Sequence, residues 1–340
     1  MSKAYEDNRY QKTNMPLPEE EQDINRTEQK SGTSVSQRLQ RYSFLIPWIF
    51  LLALTIAELA VGYWSIRVGM VLHIVLLIAM LMMAVLSWYY WEVQRTADSP
   101  PGRQVGSPVQ PETDVEADGS LKGGRIIGRR AFHSYRFYIG LSIAPLIRIL
   151  SLSIPLQGVA DQYVYLITGI PFLIAIIVTA RMAGFHMSDL YLSQKKHQKS
   201  RHGWKVQLAI ALIGIPLGLM EYFILRPEPI IPQLTLGAVV TASIILIIFT
   251  GFTEELTFRG IMKRATDDLF GERTSVIYVS LVFAVLHITH LSALDVFFVF
   301  GVGLLFSSIV QQTKSLYGVT LAHGLTNINL FIFGPLLLGL

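Results

Sequence analysis

The stretch "LTLGAVVTASIILIIFTGFTEELTFRG" (residues 234–260) begins as an almost uniformly apolar segment and then reaches two adjacent acids and an arginine. A helix that crosses the roughly 30 Å hydrocarbon core of a bilayer needs about 20 apolar residues, and this stretch supplies them. Ionisable side chains inside such a helix are costly and usually functional, whereas at its solvated end they are ordinary. The stretch therefore predicts a membrane helix in which the roles of Glu254, Glu255 and Arg259 need an explanation.

The rest of the chain has the same character. Of the 340 residues, 51% are hydrophobic and only 15% are charged, a composition typical of membrane proteins and not of soluble domains. We therefore expect an all-α, polytopic integral membrane bundle of eight or nine spans. The candidate spans are 44–62, 68–92, 132–154, 163–184, 205–225, 235–258, 274–290, 294–312 and 317–338.

Polar segments divide the chain into four parts. Residues 1–43 are polar and mixed in charge, which predicts a disordered cytoplasmic tail. Residues 44–92 form a two-span hairpin, and 93–131, rich in Pro, Gly, Ser and acids, reads as a flexible linker. Residues 132–340 then form the main membrane domain.

The basic residues predict the orientation of the chain. Alternate connecting segments, beginning with the N-terminal tail, hold 24 Lys and Arg, whereas the intervening ones hold only Arg67 and Arg226. By the positive-inside rule, we expect the N-terminus to lie in the cytoplasm. We expect the protein to be integral to the plasma membrane. The basic stretch "KKHQKSRHGWK" (195–205) predicts contact with anionic inner-leaflet lipid. Nucleic acid is not an expected partner, because the basic residues lie in loops between spans.

The spacing of the opening motif separates its two acids. Residues four apart share a helix face, so Glu255 and Arg259 can pair, with the acid on the favoured N-terminal side. Glu254 is turned by roughly 100° and lacks that partner. A carboxylate left available in a poorly hydrated cavity suits a general base. The competing interpretation is an ordinary solvated helix end.

Two later stretches favour the functional interpretation. "FAVLHITH" (283–290) places Phe283 and His287 on one helix face, and "LAHGLTNIN" (321–329) does the same for His323 and Asn327. A lone histidine on an apolar helix is more often a satisfied buried group than a catalyst. Three polar pairs on late membrane helices must find partners, and the natural partners are one another. We expect a shared intramembrane cavity that faces the cytoplasm.

The three motifs together resemble a known family. "EELTFR" (254–259), "FAVLH" (283–287) and "HGLTN" (323–327) are similar to the motifs E-E-x-x-x-R, F-x-x-x-H and H-x-x-x-N of CPBP intramembrane proteases, the type II CAAX prenyl endopeptidase group. The resemblance covers about 235–335. Two upstream stretches, "LIRILSLSIPL" (146–156) and "ARMAGFHMSDL" (180–190), look like parts of bacterial members.

The resemblance implies a catalytic role for four residues. Glu254 and His287 would activate a water for attack on a peptide carbonyl, and His323 and Asn327 would hold the resulting oxyanion. The substrate would be a peptide or protein at the membrane. In the eukaryotic branch of the family it is a prenylated C-terminus, whereas bacterial members are linked to bacteriocin-type peptides.

The resemblance gives three further residues supporting roles. Glu255 and Arg259 would fix the helix, and Phe283 would pack the site. The N-terminal 130 residues resemble nothing that assigns them a role.

A metal is a possible cofactor of this constellation. Glu254, His287 and His323 have the residue types of a two-histidine, one-carboxylate zinc site, and family members are commonly called metalloproteases. An H-E-x-x-H spacing is absent, however, so we favour a water activated without a required metal. His290, three residues after His287, is a possible chelator, but we favour a helix-end residue at the outer interface.

Four other polar residues lie in or at the edge of predicted spans. Glu58 and Glu221 are expected to pair with arginines of other helices, and Arg148 is expected to reach a lipid headgroup. No catalytic role is expected for them or for Asp295.

Two functions of other classes compete with proteolysis. A non-catalytic immunity or peptide-binding protein needs the same cavity but no activated water. A transporter that uses Glu254, His287 and His323 as a proton relay is the third hypothesis. The sequence shows no inverted repeat and no paired broken helices, which transporters of this kind usually have.

Overall fold

A computed structural model describes residues 45–97, 123–193 and 203–339 of the chain. Internal contacts divide it into Met1–Phe50, of which 45–50 are described, and Leu51–Leu340. The expected tail at 1–43 lies outside the described residues, and so do 98–122 of the expected linker and 195–202 of the basic stretch. The four-part division of the chain stays a prediction.

The described residues are helical, with no strand among them, which confirms the expected all-α membrane bundle. Within them, nine helices are long and apolar enough to cross a membrane, so the higher of the two expected numbers is correct. They are α1 (Ile46–Trp64), α2 (Ile66–Val93), α3 (Ala131–Ser153), α4 (Asp161–Met182), α5 (Trp204–Leu225), α6 (Leu236–Phe270), α7 (Glu272–His290), α8 (Ala293–Thr313) and α9 (Tyr317–Leu338).

Among these membrane-spanning ranges only α6 departs from its predicted bounds by more than two residues. The helices that contain α2 and α3 also extend beyond their spans, to Ala97 and from Gly123, into the segment expected to be a flexible linker. The prediction that α6 ends at residue 258 was wrong, because the helix continues to Phe270. The charges that suggested a loop are satisfied inside the helix: the Lys263 side chain is fully buried and pairs with Asp267 at 2.8 Å. At 1.5 Å per residue, 35 residues give about 52 Å, well beyond the hydrocarbon thickness. Glu254 therefore lies inside a long helix and not at its end.

The backbone of α6 is wider than an α-helix around the two acids. π-helical stretches run from Ile247 to Phe252 and from Leu256 to Met262, with Thr253–Glu255 between them. In α9 another π-helical stretch, Asn329–Phe333, follows the motif "HGLTN" (323–327). Such stretches are rare and concentrate at functional sites.

Glycines allow α9 to lie close against two neighbours. A Cβ on Gly214 of α5 would stand only 2.0 Å from the carbonyl oxygen of Ala322, and one on Gly218 only 2.3 Å from that of Thr326. A Cβ on Gly251 of α6 would stand 2.8 Å from the oxygen of Thr320. Small residues that let backbones approach are typical of membrane helix pairs. These glycine contacts place His323 and Asn327 of α9 beside α6.

The N-terminal helices pack on the main bundle. Helix α2 lies along α3, and the ring centroids of Trp91 and Phe132 are 5.1 Å apart. Arg148 of α3 turns inward and pairs with Glu58 of α1 at 2.9 Å, which confirms the expected pairing of Glu58. The expectation that Arg148 reaches a lipid headgroup was wrong, because a buried carboxylate is a stronger partner. Glu221 is buried, but forms no ion pair with an arginine of the described chain.

Candidate active site

The acid–arginine pair predicted from the spacing is present in α6. Arg259 Nη1 donates to Glu255 Oε1 at 2.9 Å, and both side chains are fully buried. The guanidinium carbon of Arg259 also lies 4.4 Å from the ring centroid of Phe283. A buried charge is tolerated only when it is paired, so each of these two groups holds the other in place.

Glu255 has a second partner that its spacing did not predict. His323 Nδ1 lies 2.8 Å from Glu255 Oε1. A carboxylate oxygen accepts, so the histidine nitrogen must carry the hydrogen and donate it. The other ring nitrogen, Nε2, lies 3.7 Å from Glu254 Oε2. The imidazole of His323 therefore stands between the two adjacent acids.

Burial distinguishes the two acids. The side chain of Glu254 keeps 28% of its surface accessible, whereas that of Glu255 keeps none. Glu254 has only the longer contact with His323, whereas Glu255 is fixed by two charged or polar partners. Glu255 is therefore a framework residue by its contacts, and Glu254 is the more accessible of the two acids.

The orientation of His287 is fixed by its own helix. His287 Nδ1 lies 2.8 Å from the carbonyl oxygen of Phe283, which can only accept, so Nδ1 donates. In the neutral ring the lone pair is then on Nε2. The Phe283 ring packs edge-on against His287 at 4.8 Å and against His323 at 6.1 Å. Phe283 thus contacts both histidines, as its expected packing role requires.

The structure does not join every predicted catalytic residue directly. In the parts of the chain that are described, no hydrogen bond or ion pair links His287 to Glu254. Asn327 Nδ2 instead donates to Thr250 Oγ1 at 2.8 Å, and the Thr250 hydroxyl donates to the carbonyl oxygen of Leu246. The motifs did not reveal Thr250; its place one helical turn before Glu254 was the available signal.

His290 ends a short 3-10 turn, Ile288–His290, and belongs to a separate pair. Its Nδ1 lies 2.8 Å from Oδ2 of the fully buried Asp295, and its ring stands perpendicular to that of His287 at 5.1 Å. The helix-end position expected from the sequence is confirmed. Its exposure to the outer interface stays a prediction.

The described side chains do not form an assembled metal centre. Among the described histidines and acids, no group of three is placed to hold a metal ion. The chemistry below is accordingly derived from the side chains.

In the described part of the chain, nine helices are long and apolar enough to cross a membrane, and acids and histidines are buried among them, which indicates an integral membrane protein. Residues 235–329 match a family model, Rce1-like, described as type II CAAX prenyl endopeptidase Rce1-like. This match confirms the resemblance over that segment, which contains all four residues expected to be catalytic. The family is one of CAAX-type intramembrane proteases, so the match indicates a protease. Comparisons with curated proteins and with solved structures gave no match.

Proposed function

We propose that this protein is an intramembrane endopeptidase that hydrolyses a peptide bond with a water activated by Glu254 and His287. The observation that carries the proposal is the contrast between the adjacent acids. Glu255 is fully buried and held by Arg259 and His323, whereas Glu254 is partly accessible beside the same histidine. A framework acid next to an available acid is an arrangement suited to general base catalysis.

The attacking water would lie between Glu254 and His287. Glu254 accepts one proton of the water, while the Nε2 lone pair of His287 accepts a hydrogen bond from the other. Because no direct bond joins the two side chains in the described structure, neither has to be displaced by the other before the water binds. The hydrogen bond from His287 Nδ1 to the Phe283 carbonyl leaves the Nε2 lone pair of His287 available to the water.

The opposite side of the carbonyl would be met by donors from α9. Asn327 uses one Nδ2 hydrogen for Thr250 and keeps the second. His323 donates Nδ1–H to Glu255, so it offers a second N–H, at Nε2, only as an imidazolium. The carboxylates of Glu254 and Glu255 are the counter-charges next to it. Donors placed where negative charge develops lower the barrier most effectively.

Glu254 takes up one proton during the reaction and later returns it, so its protonation state is unchanged at the end. The water oxygen bonds to the carbonyl carbon, and its proton passes to Glu254 as the tetrahedral oxyanion forms. The carbon–nitrogen bond then breaks, and Glu254 returns the proton to the leaving amine. The products are a new carboxyl terminus and a new amino terminus, with the enzyme unchanged.

The substrate we propose is a peptide or protein segment at the membrane, either lipid-associated and CAAX-like or of bacteriocin type. We also propose that the cavity faces the cytoplasm and that the N-terminus lies on the same side. The membrane would be a bacterial plasma membrane. The basic residues at 195–205 would hold anionic lipid. Within this stretch residues 203–205 are described, and Trp204 and Lys205 are both exposed, as side chains at a membrane interface are.

The experiment that tests this function is cleavage of fluorogenic peptides, plain and lipidated, by the purified protein in detergent. We expect cleavage by the wild type and at least a hundredfold loss in His287→Ala. A parallel arm adds a strong chelator. Cleavage that resists the chelator supports the side-chain mechanism, whereas cleavage abolished by it contradicts that mechanism and restores the zinc alternative. Wild-type protein that binds peptides without cleaving them would favour the immunity or peptide-binding alternative.

A further inference from the structure

A buried polar cluster outside the family match joins the first three helices. Glu58 of α1 and His73 of α2 are fully buried, and the side chain of Arg148 of α3 is 13% exposed. Arg148 Nε donates to Glu58 Oε1 at 3.1 Å, and Arg148 Nη2 pairs with Glu58 Oε2 at 2.9 Å. His73 Nε2 lies 3.2 Å from Glu58 Oε1. Both carboxylate oxygens of Glu58 therefore lie close to the guanidinium, and Oε1 accepts a hydrogen bond from it.

The hydrogen-bond partners of His73 require a proton inside this cluster. His73 Nδ1 donates to the carbonyl oxygen of Gly69 at 2.7 Å. Its Nε2 faces a carboxylate oxygen, and two lone pairs would repel each other there. The contact is therefore attractive only with a proton between His73 and Glu58. Such a cluster forms a satisfied network in a place where an unpaired charge would be very costly.

Arg148 connects the cluster to the candidate active site. Its Nη2 donates to the carbonyl oxygen of Leu286 at 2.7 Å. The regular α-helical part of α7 ends at Val285, so Leu286 carries one of the terminal carbonyls that lack a partner within the helix. A cation at a helix C-terminus also meets the favourable end of the helix dipole. The next residue in the chain is His287.

A second contact holds the same turn from its other end. At Gly62 of α1, an added Cβ would lie 3.0 Å from Leu291 Cδ2 and 3.7 Å from the carbonyl oxygen of Ile288. Leu291 itself has a left-handed backbone, with φ 58°, which closes the turn after His290. The turn that carries His287 is therefore contacted by Arg148 at its N-terminal end and by α1 at its C-terminal end.

From these contacts we propose that the N-terminal helix pair is a positioning element of the active site: Glu58 and His73 orient Arg148, and Arg148 with Gly62 fixes the turn that carries His287. The inference rests on the proposed proteolysis and extends it to helices that the family match does not cover. None of these four residues touches the reacting atoms, so they act through His287. A displacement of the order of 1 Å at a catalytic group can cost about a hundredfold in rate.

Arg148→Lys tests this positioning in the full-length chain. Lysine keeps the charge but has one nitrogen, which cannot serve both Glu58 and Leu286 in the planar arrangement of a guanidinium. We expect kcat to fall by about 10–100-fold, with KM within about twofold because substrate contacts are untouched. Asp267→Asn is the matched control, since it breaks another buried ion pair, with Lys263, whose side chains hydrogen-bond to no candidate site residue in the described structure. The control should lose stability and keep kcat. An unchanged kcat in Arg148→Lys, or an equal fall in the control, would overturn the proposal.

A second measurement is independent of proteolysis. Diethylpyrocarbonate modifies accessible neutral imidazoles, and mass spectrometry can follow His287 against the exposed His186 as an internal reference. We expect the His287 rate to rise several-fold in Arg148→Lys and in Gly62→Leu, while the His186 rate stays constant. If the wild type cleaves no peptide, the proposed function fails, but the His287 modification rates still test whether Arg148 and Gly62 fix the turn that carries His287. Equal His287 rates in wild type and both variants would refute it.

Discussion

The contrast between Glu254 and Glu255 leads to a quantitative prediction about two isosteric changes. Replacing either acid by glutamine keeps its size and removes its charge. In Glu255→Gln, the amide oxygen can still accept a hydrogen bond, but Arg259 loses its counter-charge at 2.9 Å and His323 exchanges a carboxylate acceptor at 2.8 Å for a neutral one. Glu255 and Arg259 are both fully buried. In Glu254→Gln, the one ionic contact affected among the described residues is that at 3.7 Å to His323, from a side chain that is 28% accessible.

The expected costs follow from burial. Removing one partner of a buried ion pair leaves the other charge uncompensated, which costs about 3–5 kcal/mol. A partly exposed contact longer than a hydrogen bond contributes roughly 0–1 kcal/mol. With Tm changes of roughly 2–4 °C per kcal/mol in domains of 150–250 residues, Glu255→Gln should lower Tm by the order of 10 °C. Glu254→Gln should lower it by no more than a few degrees, about 2–4 °C.

The assay is thermal unfolding of the purified variants in one detergent, followed by tryptophan fluorescence. Glu272→Gln is the matched control, because this acid pairs with Lys314 while its side chain is 55% exposed, so its loss should be nearly neutral. Equal Tm values for Glu255→Gln and Glu254→Gln would refute the assignment of Glu255 as the framework acid. A larger loss in Glu254→Gln would reverse the assignment.

Three further predictions concern packing, the oxyanion donors and topology. Gly214→Ala should destabilise the protein by about 1–3 kcal/mol or more, since its Cβ would meet a backbone oxygen of α9 at 2.0 Å, whereas Gly237→Ala, with nothing within 4 Å, should be neutral or stabilising in the same unfolding assay. Thr250→Val removes the acceptor for Asn327 Nδ2 and should lower kcat roughly tenfold with KM unchanged; an unaltered kcat would argue against Asn327 as a positioned donor. In this cysteine-free chain, Gln233→Cys should react with an impermeant maleimide on intact cells, and labelling only after lysis would reverse the proposed orientation.

Local spacing was enough to predict part of the site. Glu255 and Arg259 are four residues apart, so helix geometry alone places them in contact. The hydrogen bond from His323 to Glu255 joins positions 68 apart, and it depends on how closely α9 approaches α6. That approach is set by glycines whose packing role no local pattern reveals. The role of Glu255 was therefore predicted only in part.

Two predictions made from the sequence were wrong: the end of α6 and the contact of Arg148 with a lipid headgroup. Charged residues after 258 indicated a solvated loop, but Lys263 finds its partner Asp267 within the same helix. Arg148 looked like a residue that reaches the lipid headgroups, because its partners, Glu58 and Leu286, are 90 and 138 positions away. Hydropathy finds the spans well, since membrane helices must satisfy their own backbones. It cannot find the side chains that polar groups meet across helices.

The most direct test of the central claim compares cleavage by the wild type with cleavage by Glu254→Gln, using mass spectrometry of peptide products. Both proteins would first be shown to unfold at similar temperatures, so that a loss of activity is not a loss of fold. The proposed mechanism predicts products with new termini from the wild type and at least a hundredfold fewer from the variant. Glu254→Gln that cleaves at the wild-type rate, or a folded wild type that cleaves none of the plain and lipidated peptides, would contradict it.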